Sequence, residues 1–123
     1  MKDDGLVSVI DDDESVRESI PALLRTFEFD TRAFVSAEAF LASDLVDATR
    51  CIVLDVAMPG MSGPELFELL KQRPKNIPVI FITAQSDGVL CQRLVALGAV
   101  ACLYKPFEPM ALVEALKHAL PWN

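Results

Sequence analysis

The sequence predicts a doubly wound α/β sandwich, with five parallel strands covered on both faces by five helices. Three observations carry that expectation. Short, β-branched apolar runs recur along the chain, segments with helical spacing lie between them, and the runs are apolar at nearly every residue, as in strands buried on both sides. At 123 residues and 52% apolar content the chain can build one full core but not two, so residues 1–123 are read as a single unit.

The first strand is expected at Leu6-Val7-Ser8-Val9-Ile10. Ser15-Val16-Arg17-Glu18 has the capping-box pattern and opens a helix with Val16, Ile20, Leu23, Leu24 and Phe27 on one side. Pro21 falls inside that segment and removes a backbone donor, so a kink or a later helix start is expected there. Thr31-Arg32-Ala33-Phe34-Val35 is a weaker run, suited to an edge strand. Ser36 precedes a short helix from Ala37 to Ala42, and Arg50-Cys51-Ile52-Val53-Leu54 is a strongly apolar third strand. Pro64 suits the first turn of the helix carrying Leu66, Phe67, Leu69 and Leu70. The fourth strand is Pro78-Val79-Ile80-Phe81-Ile82. After it, Ser86 is the expected cap of a helix holding Val89, Leu90, Leu94 and Leu97, which Gly98 ends. Val100-Ala101-Cys102-Leu103-Tyr104 is the fifth strand, and Pro109 starts a last helix with Leu112, Val113 and Leu116.

Charge is distributed unevenly along this pattern. The formal net charge is −7, which argues against a grip on nucleic-acid phosphates by this domain. Residues 1–60 hold 13 acidic and 5 basic side chains, whereas residues 61–123 hold 5 and 6, so the first half collects carboxylates. The three cysteines lie in apolar runs and are expected to be reduced, core-type thiols. No signal segment opens the chain and no apolar stretch has the length of a membrane span, so a soluble cytoplasmic protein with no membrane partner is expected.

In a sheet of this kind, ligands bind at the carboxyl ends of the strands. The first strand ends in Asp11-Asp12-Asp13-Glu14, the third in Asp55, the fourth in Thr83-Ala84 and the fifth in Lys105-Pro106. Two carboxylates about 4 Å apart repel by roughly 4 kcal/mol at an effective dielectric near 20, so Asp11, Asp12 and Asp55 need compensation. A hard divalent cation such as Mg²⁺, taking oxygen ligands, supplies it, and Lys105 adds a fixed positive charge. Such a rim suits acceptance of a phosphoryl group, with Thr83 as a hydroxyl donor. The nucleophile is then a carboxylate, and Asp55, alone at the end of an apolar strand, is the best candidate. Asp13 and Glu14 are better read as an acidic helix start, His118 as a cation at a helix end, and Met58, Met61 and Met110 as gap fillers.

The acidic pair after the first strand, Asp55 with its Met-Pro-Gly-Met-Ser-Gly loop, Thr83-Ala84, Gly98-Ala99 and Lys105-Pro106-Phe107 together resemble the receiver domain of two-component response regulators, which has a flavodoxin-like fold. The resemblance runs from Val7 to about Leu120. Within the family, Ser36-Ala37-Glu38-Ala39-Phe40-Leu41 and Tyr104-Lys105-Pro106-Phe107 are similar to receivers of the nitrogen-fixation transcriptional regulators. The resemblance implies a phosphoacceptor at Asp55 and Mg²⁺ held by Asp11, Asp12, Asp55 and the Ala57 backbone carbonyl. It also implies phosphoryl contacts and switching at Thr83, Ala84 and Lys105, and a cis bond before Pro106. The donor would be a sensor histidine kinase. Phosphorylation would then reshape the face formed by the fourth helix, fifth strand and fifth helix, which commonly serves for homodimerisation. Transcriptional output would come from a DNA-binding segment outside this chain, and the domain itself would not be an enzyme.

One position departs from the family pattern. Three residues before the lysine, receivers often carry an aromatic that turns inward; here it is Cys102, and the aromatic is Tyr104, on the same side of the strand. Both stay candidate switch positions, and Cys102 also admits a redox-sensitive reading. Two other functions stay open at this point: a phosphorylation-independent binding module, and a dehalogenase-type phosphatase, whose Asp-x-Asp pattern Asp11-Asp12-Asp13 formally fits.

Overall fold

The structure is a computed structural model that describes residues 5–84 and 88–120. Its elements alternate along the chain: β1 (Leu6–Ile10), α1 (Glu14–Thr26), β2 (Asp30–Phe34), α2 (Ala37–Ala42), β3 (Thr49–Asp55), α3 (Gly63–Lys71), β4 (Val79–Thr83), α4 (Gly88–Ala96), β5 (Ala101–Tyr104) and α5 (Pro109–Ala119). The strands form one parallel sheet in the order β2-β1-β3-β4-β5. The chain steps from β1 to one neighbour, then returns past β1 to build the rest of the sheet, so strand order reverses between β1 and β3. A crevice opens at the carboxyl ends of those two strands.

Alternation along the strands sends successive side chains to opposite faces and makes two cores. Ile10, Ile52, Leu54 and Phe81 meet Phe40 of α2, Leu66 of α3 and Leu94 of α4 on one face. Val7, Val9, Val53, Ile80 and Ile82 meet Ile20 and Leu24 of α1 and Leu112 and Leu116 of α5 on the other. Burial on both sides is why the central strands read as unbroken apolar runs. The weak run became the edge strand β2, as its composition suggested; β5 is the opposite edge, with none of its four residues fully buried. Among the described residues no helix is long and apolar enough to cross a membrane.

Three local expectations need correction. The first helix begins before Ser15: Asp13 is the N-cap, its carboxylate accepting from the Ser15 backbone N–H at 3.0 Å and from the Ser15 hydroxyl at 3.0 Å. A capping aspartate two residues upstream displaces the Ser15 box, and α1 runs through Pro21, whose ring is buried; the later start does not occur. The cysteines are not all reduced either. Cys91 on α4 and Cys102 on β5 form a disulfide with Cα atoms 5.5 Å apart, and Cys51 alone is free and buried. Apolar runs reveal burial but not which runs abut, and the inward side of α4 lies against Cys102. Ser86, expected to cap α4, falls outside the described residues.

α2 is only six residues long and is held by its capping Ser36, which accepts from the Ala39 N–H at 3.0 Å, and by Phe40, fully buried and edge-on to Phe34. Phe40→Ala is therefore expected to lower the unfolding free energy by about 3–5 kcal/mol in urea denaturation. Val95→Ala, on the exposed side of α4, should change it by about 0.5 kcal/mol or less.

Candidate functional site

Asp11 is the first residue past β1 and is fully buried. Its backbone N–H donates to the Phe34 carbonyl at 3.1 Å, and its own carbonyl accepts from Arg17 at 3.0 Å, so the main chain is pinned from both sides. Its carboxylate is equally committed: one oxygen accepts from the Asp13 N–H at 2.9 Å, the other from the Lys105 ammonium at 2.9 Å. Asp12 is exposed beside it. Asp55 ends β3 and is almost entirely buried, with one carboxylate oxygen 3.7 Å from Lys105 Nζ. One oxygen from each of Asp11, Asp12 and Asp55 lies within 4.8 Å of the others.

The loop after Asp55 is built to stay against it. The Ala57 N–H donates to the Asp55 carboxylate, Val56 N–H to the Ile82 carbonyl at 3.0 Å, and Gly63 N–H to the Val56 carbonyl at 3.0 Å. Gly63 packs so closely that a Cβ there would lie 2.2 Å from the Asp55 carbonyl oxygen, so only glycine fits. Gly60 takes a positive φ of 76°, and the next amide, Met61 N–H, donates to Glu38 of α2 at 2.8 Å. Ser62 and Glu65 then cap α3 reciprocally.

Thr83 ends β4 and is buried; its carbonyl accepts from the Lys105 N–H at 2.8 Å, which sets the lysine beside it on the rim. Ala84 follows, exposed. The Lys105–Pro106 peptide is cis. Tyr104 is 37% exposed, and its hydroxyl lies near the start of α4, 3.7 Å from where a Cβ on Gly88 would sit. Cys102, two residues earlier on the same face, packs against the α2–α3–α4 core and is bonded to Cys91.

Charge is only partly balanced here. Burial, and then the charge of Asp11, push the Asp55 carboxyl from 3.8 up to about 6; Asp12 adds to this, while Lys105 and the Ala57 N–H pull the other way. Burial alone would lower the Lys105 ammonium, but its hydrogen bond to Asp11 and the charges of Asp11, Asp55 and Asp13 outweigh that and raise its pKa. Three carboxylates share one ammonium, and all the side-chain donors offered are hard oxygens. That donor set fits Mg²⁺. Thr83, Ala84 and Lys105 reach the same rim from two further strands. Arg17, Glu38 and Gly63 were not singled out from the sequence; the glycine-rich turn was the only local sign of such close backbone contacts.

A family model described as the response regulator receiver domain matches residues 7–117. The chain belongs to that family. It is 38% identical over 117 residues to the transcriptional regulatory protein TdiR of Thauera aromatica, covering 95% of this chain and 52% of TdiR. It is 40% identical over 114 residues to the transcriptional regulatory protein FixJ of Azorhizobium caulinodans, covering 93% of this chain and 54% of FixJ. The chain thus spans about half the length of these relatives. The crystal structure of FixJ-N superposes with a TM-score of 0.84 at 38% identity, covering 97% of this chain and 94% of that one. As a receiver domain of the response regulator type, the chain has a fold and rim consistent with phosphorylation-dependent signalling, and the dehalogenase-type alternative falls away.

The raised Asp55 pKa couples the stability of this receiver to pH. A carboxyl that protonates more readily folded than unfolded adds stability that is full below 3.8 and is lost as pH rises through about 6. In EDTA at pH 7.5, Asp55→Asn should therefore be more stable than the natural protein by about 1–3 kcal/mol, and the gain should vanish below about pH 4. Saturating Mg²⁺ should stabilise the natural protein and not the variant. Urea denaturation across pH checks both.

Proposed function

We propose that this receiver is a signalling switch that takes a phosphoryl group from a sensor histidine kinase onto Asp55, with Mg²⁺, and passes the change to an output through α4, β5 and α5. The observation that carries the reading is the convergence of Asp11, Asp12 and Asp55 oxygens within 4.8 Å beside Lys105. Among the three carboxylates Asp55 is the best nucleophile. Both oxygens of Asp11 are engaged, by Lys105 and by Asp13 N–H, and Asp12 stands exposed at the edge, whereas Asp55 keeps a looser 3.7 Å contact with Lys105.

Mg²⁺, held by Asp11, Asp12, Asp55 and the Ala57 backbone carbonyl, would neutralise charge on the transferring phosphoryl oxygens. The chain's own residues do the rest. With a pKa of about 6, Asp55 is mainly ionised at pH 7.5, so one oxygen attacks phosphorus as the phosphorus–nitrogen bond of the donor phosphohistidine breaks. Lys105 stands 3.7 Å away to bind a phosphoryl oxygen, and Thr83 with Ala84 closes the rim from β4. The backbone contacts of Val56, Ala57 and Gly63 hold the acceptor in place without reorganisation during transfer.

The output reading rests on relatives described as transcriptional regulators whose remaining half lies outside this chain. Transcriptional control through a DNA-binding segment in that half, with this acidic domain away from the DNA, fits the net charge of −7. Val95, Leu97, Tyr104 and Met110 expose apolar surface on the α4, β5 and α5 side, which suits a homodimer formed on phosphorylation. A cytoplasmic location follows from a kinase donor of this type.

Incubation with Mg²⁺ and acetyl phosphate should add one phosphoryl group, trapped on Asp55 by borohydride, and Asp55→Asn or EDTA should abolish it. Phosphate on another residue, or none, would overturn the reading in favour of a phosphorylation-independent binding module. By isothermal titration, Asp12→Ala should weaken Mg²⁺ binding by about tenfold or more. Asp44→Ala and Asp47→Ala, away from the rim, should change it by about twofold at most at physiological salt.

A further inference from the structure

Cys91 and Cys102 covalently join α4 to the edge strand β5, against which that helix packs. Of the nine residues of α4 only Cys91 and Leu94 are buried, with Leu90 partly buried against the same core, so the disulfide is one of the few anchors that hold the helix to the domain. Val95 and Ala96 face outward on the same helix. The pair also borders solvent: Cys91 and Cys102 line an open groove with Gln92, Val95 and Ala96. Cys51 is the contrast, fully buried in the sheet, its thiol pushed up to about 12 by burial, and so inert. The domain does not need a crosslink to fold, because two full cores flank its sheet. The disulfide thus lies at the mouth of a groove, on a helix with two fully buried residues, where small thiols can approach it.

We propose that Cys91 and Cys102 are a reversible dithiol–disulfide couple, exchanging with low-molecular-weight thiols and disulfides of the glutathione type, and that the oxidised form clamps α4 to β5. Oxidation starts at Cys102, the less buried of the two. Its thiolate attacks one sulfur of oxidised glutathione, forming a mixed disulfide and releasing one glutathione thiolate, which takes up the proton that Cys102 lost. The Cys91 thiolate then attacks the Cys102 sulfur, closing the protein disulfide and releasing the second glutathione, which takes the proton from Cys91. Two electrons pass from the protein dithiol to one oxidised glutathione. Excess reduced glutathione runs the sequence backward. The consequence for signalling rests on the receiver reading, since α4 and β5 belong to the face assigned to output. The couple and the clamp do not depend on it.

The natural chain is equilibrated under native conditions across a series of reduced-to-oxidised glutathione ratios, quenched in acid, denatured and alkylated. Mass spectrometry should count three alkylated cysteines at the reducing end and one, Cys51, at the oxidising end, with a Cys91–Cys102 linked peptide and full reversal on adding reductant. Hydrogen exchange of the α4 amides should be about tenfold slower or more in the oxidised form. Cys102→Ser and Cys91→Ser should exchange like the reduced natural protein at every ratio. Three thiols persisting in excess oxidised glutathione, one thiol persisting in excess reductant, or equal α4 exchange in both forms would overturn the proposal. Failure of the receiver reading would show separately, as no phosphoryl group on Asp55 in either redox state.

Discussion

Everything at the rim follows from packing three carboxylates around one ammonium. Lys105 bonds Asp11 at 2.9 Å and approaches Asp55 at 3.7 Å, which leaves negative charge in excess inside a largely buried pocket. Burial first, and then that excess, push the Asp55 carboxyl up to about 6. A site that is uncomfortable empty is favourable once a cation enters it, because the same charges that repel one another all attract the ion. The acidic first half of the chain has its local expression here.

The scaffold exists to keep those groups from relaxing apart. β1 and β3 are central strands buried on both faces, so Asp11 and Asp55 are carried on the stiffest part of the molecule. Lys105 comes from the far edge of the sheet, but its N–H bonds the Thr83 carbonyl and ties that edge to β4 at the level of the site. Gly63 brings the start of α3 hard against the Asp55 main chain, and Glu38 reaches from α2 to hold the intervening loop. Helix anchorage is uneven by comparison. α5 buries four residues and α4 two, one of them the disulfide-bonded Cys91, so α4 is held less firmly than α5.

Periodicity made most of this legible in advance. Strands buried on both faces must be apolar at consecutive positions, and Ile52-Val53-Leu54 and Ile80-Phe81-Ile82 advertise that directly. Once five such runs alternate with helices, the strand ends must share a rim, which is why Asp11, Asp12, Asp55, Thr83 and Lys105 could be grouped without coordinates. What stayed hidden depended on pairings between distant positions. Glu38 and Met61 are 23 residues apart and meet only because α2 and the β3–α3 loop stand side by side. Cys91 and Cys102 each looked like a core thiol, and nothing local says that one faces the other. The start of α1 was misplaced for a different reason: Asp13 and Ser15 are both good caps, and the competition was decided by Asp13 accepting two hydrogen bonds.

Asp55 sits near the edge of ionisation because it is buried and beside other carboxylates, and a bound cation relieves it. Carbon-13 NMR titration of the Asp55 carboxyl, without and with Mg²⁺, measures this directly. A midpoint near 6 without metal, falling well below that when Mg²⁺ is added, is the result expected. An ordinary midpoint near 3.8 in the metal-free protein, or one near 6 that Mg²⁺ does not move, would contradict it.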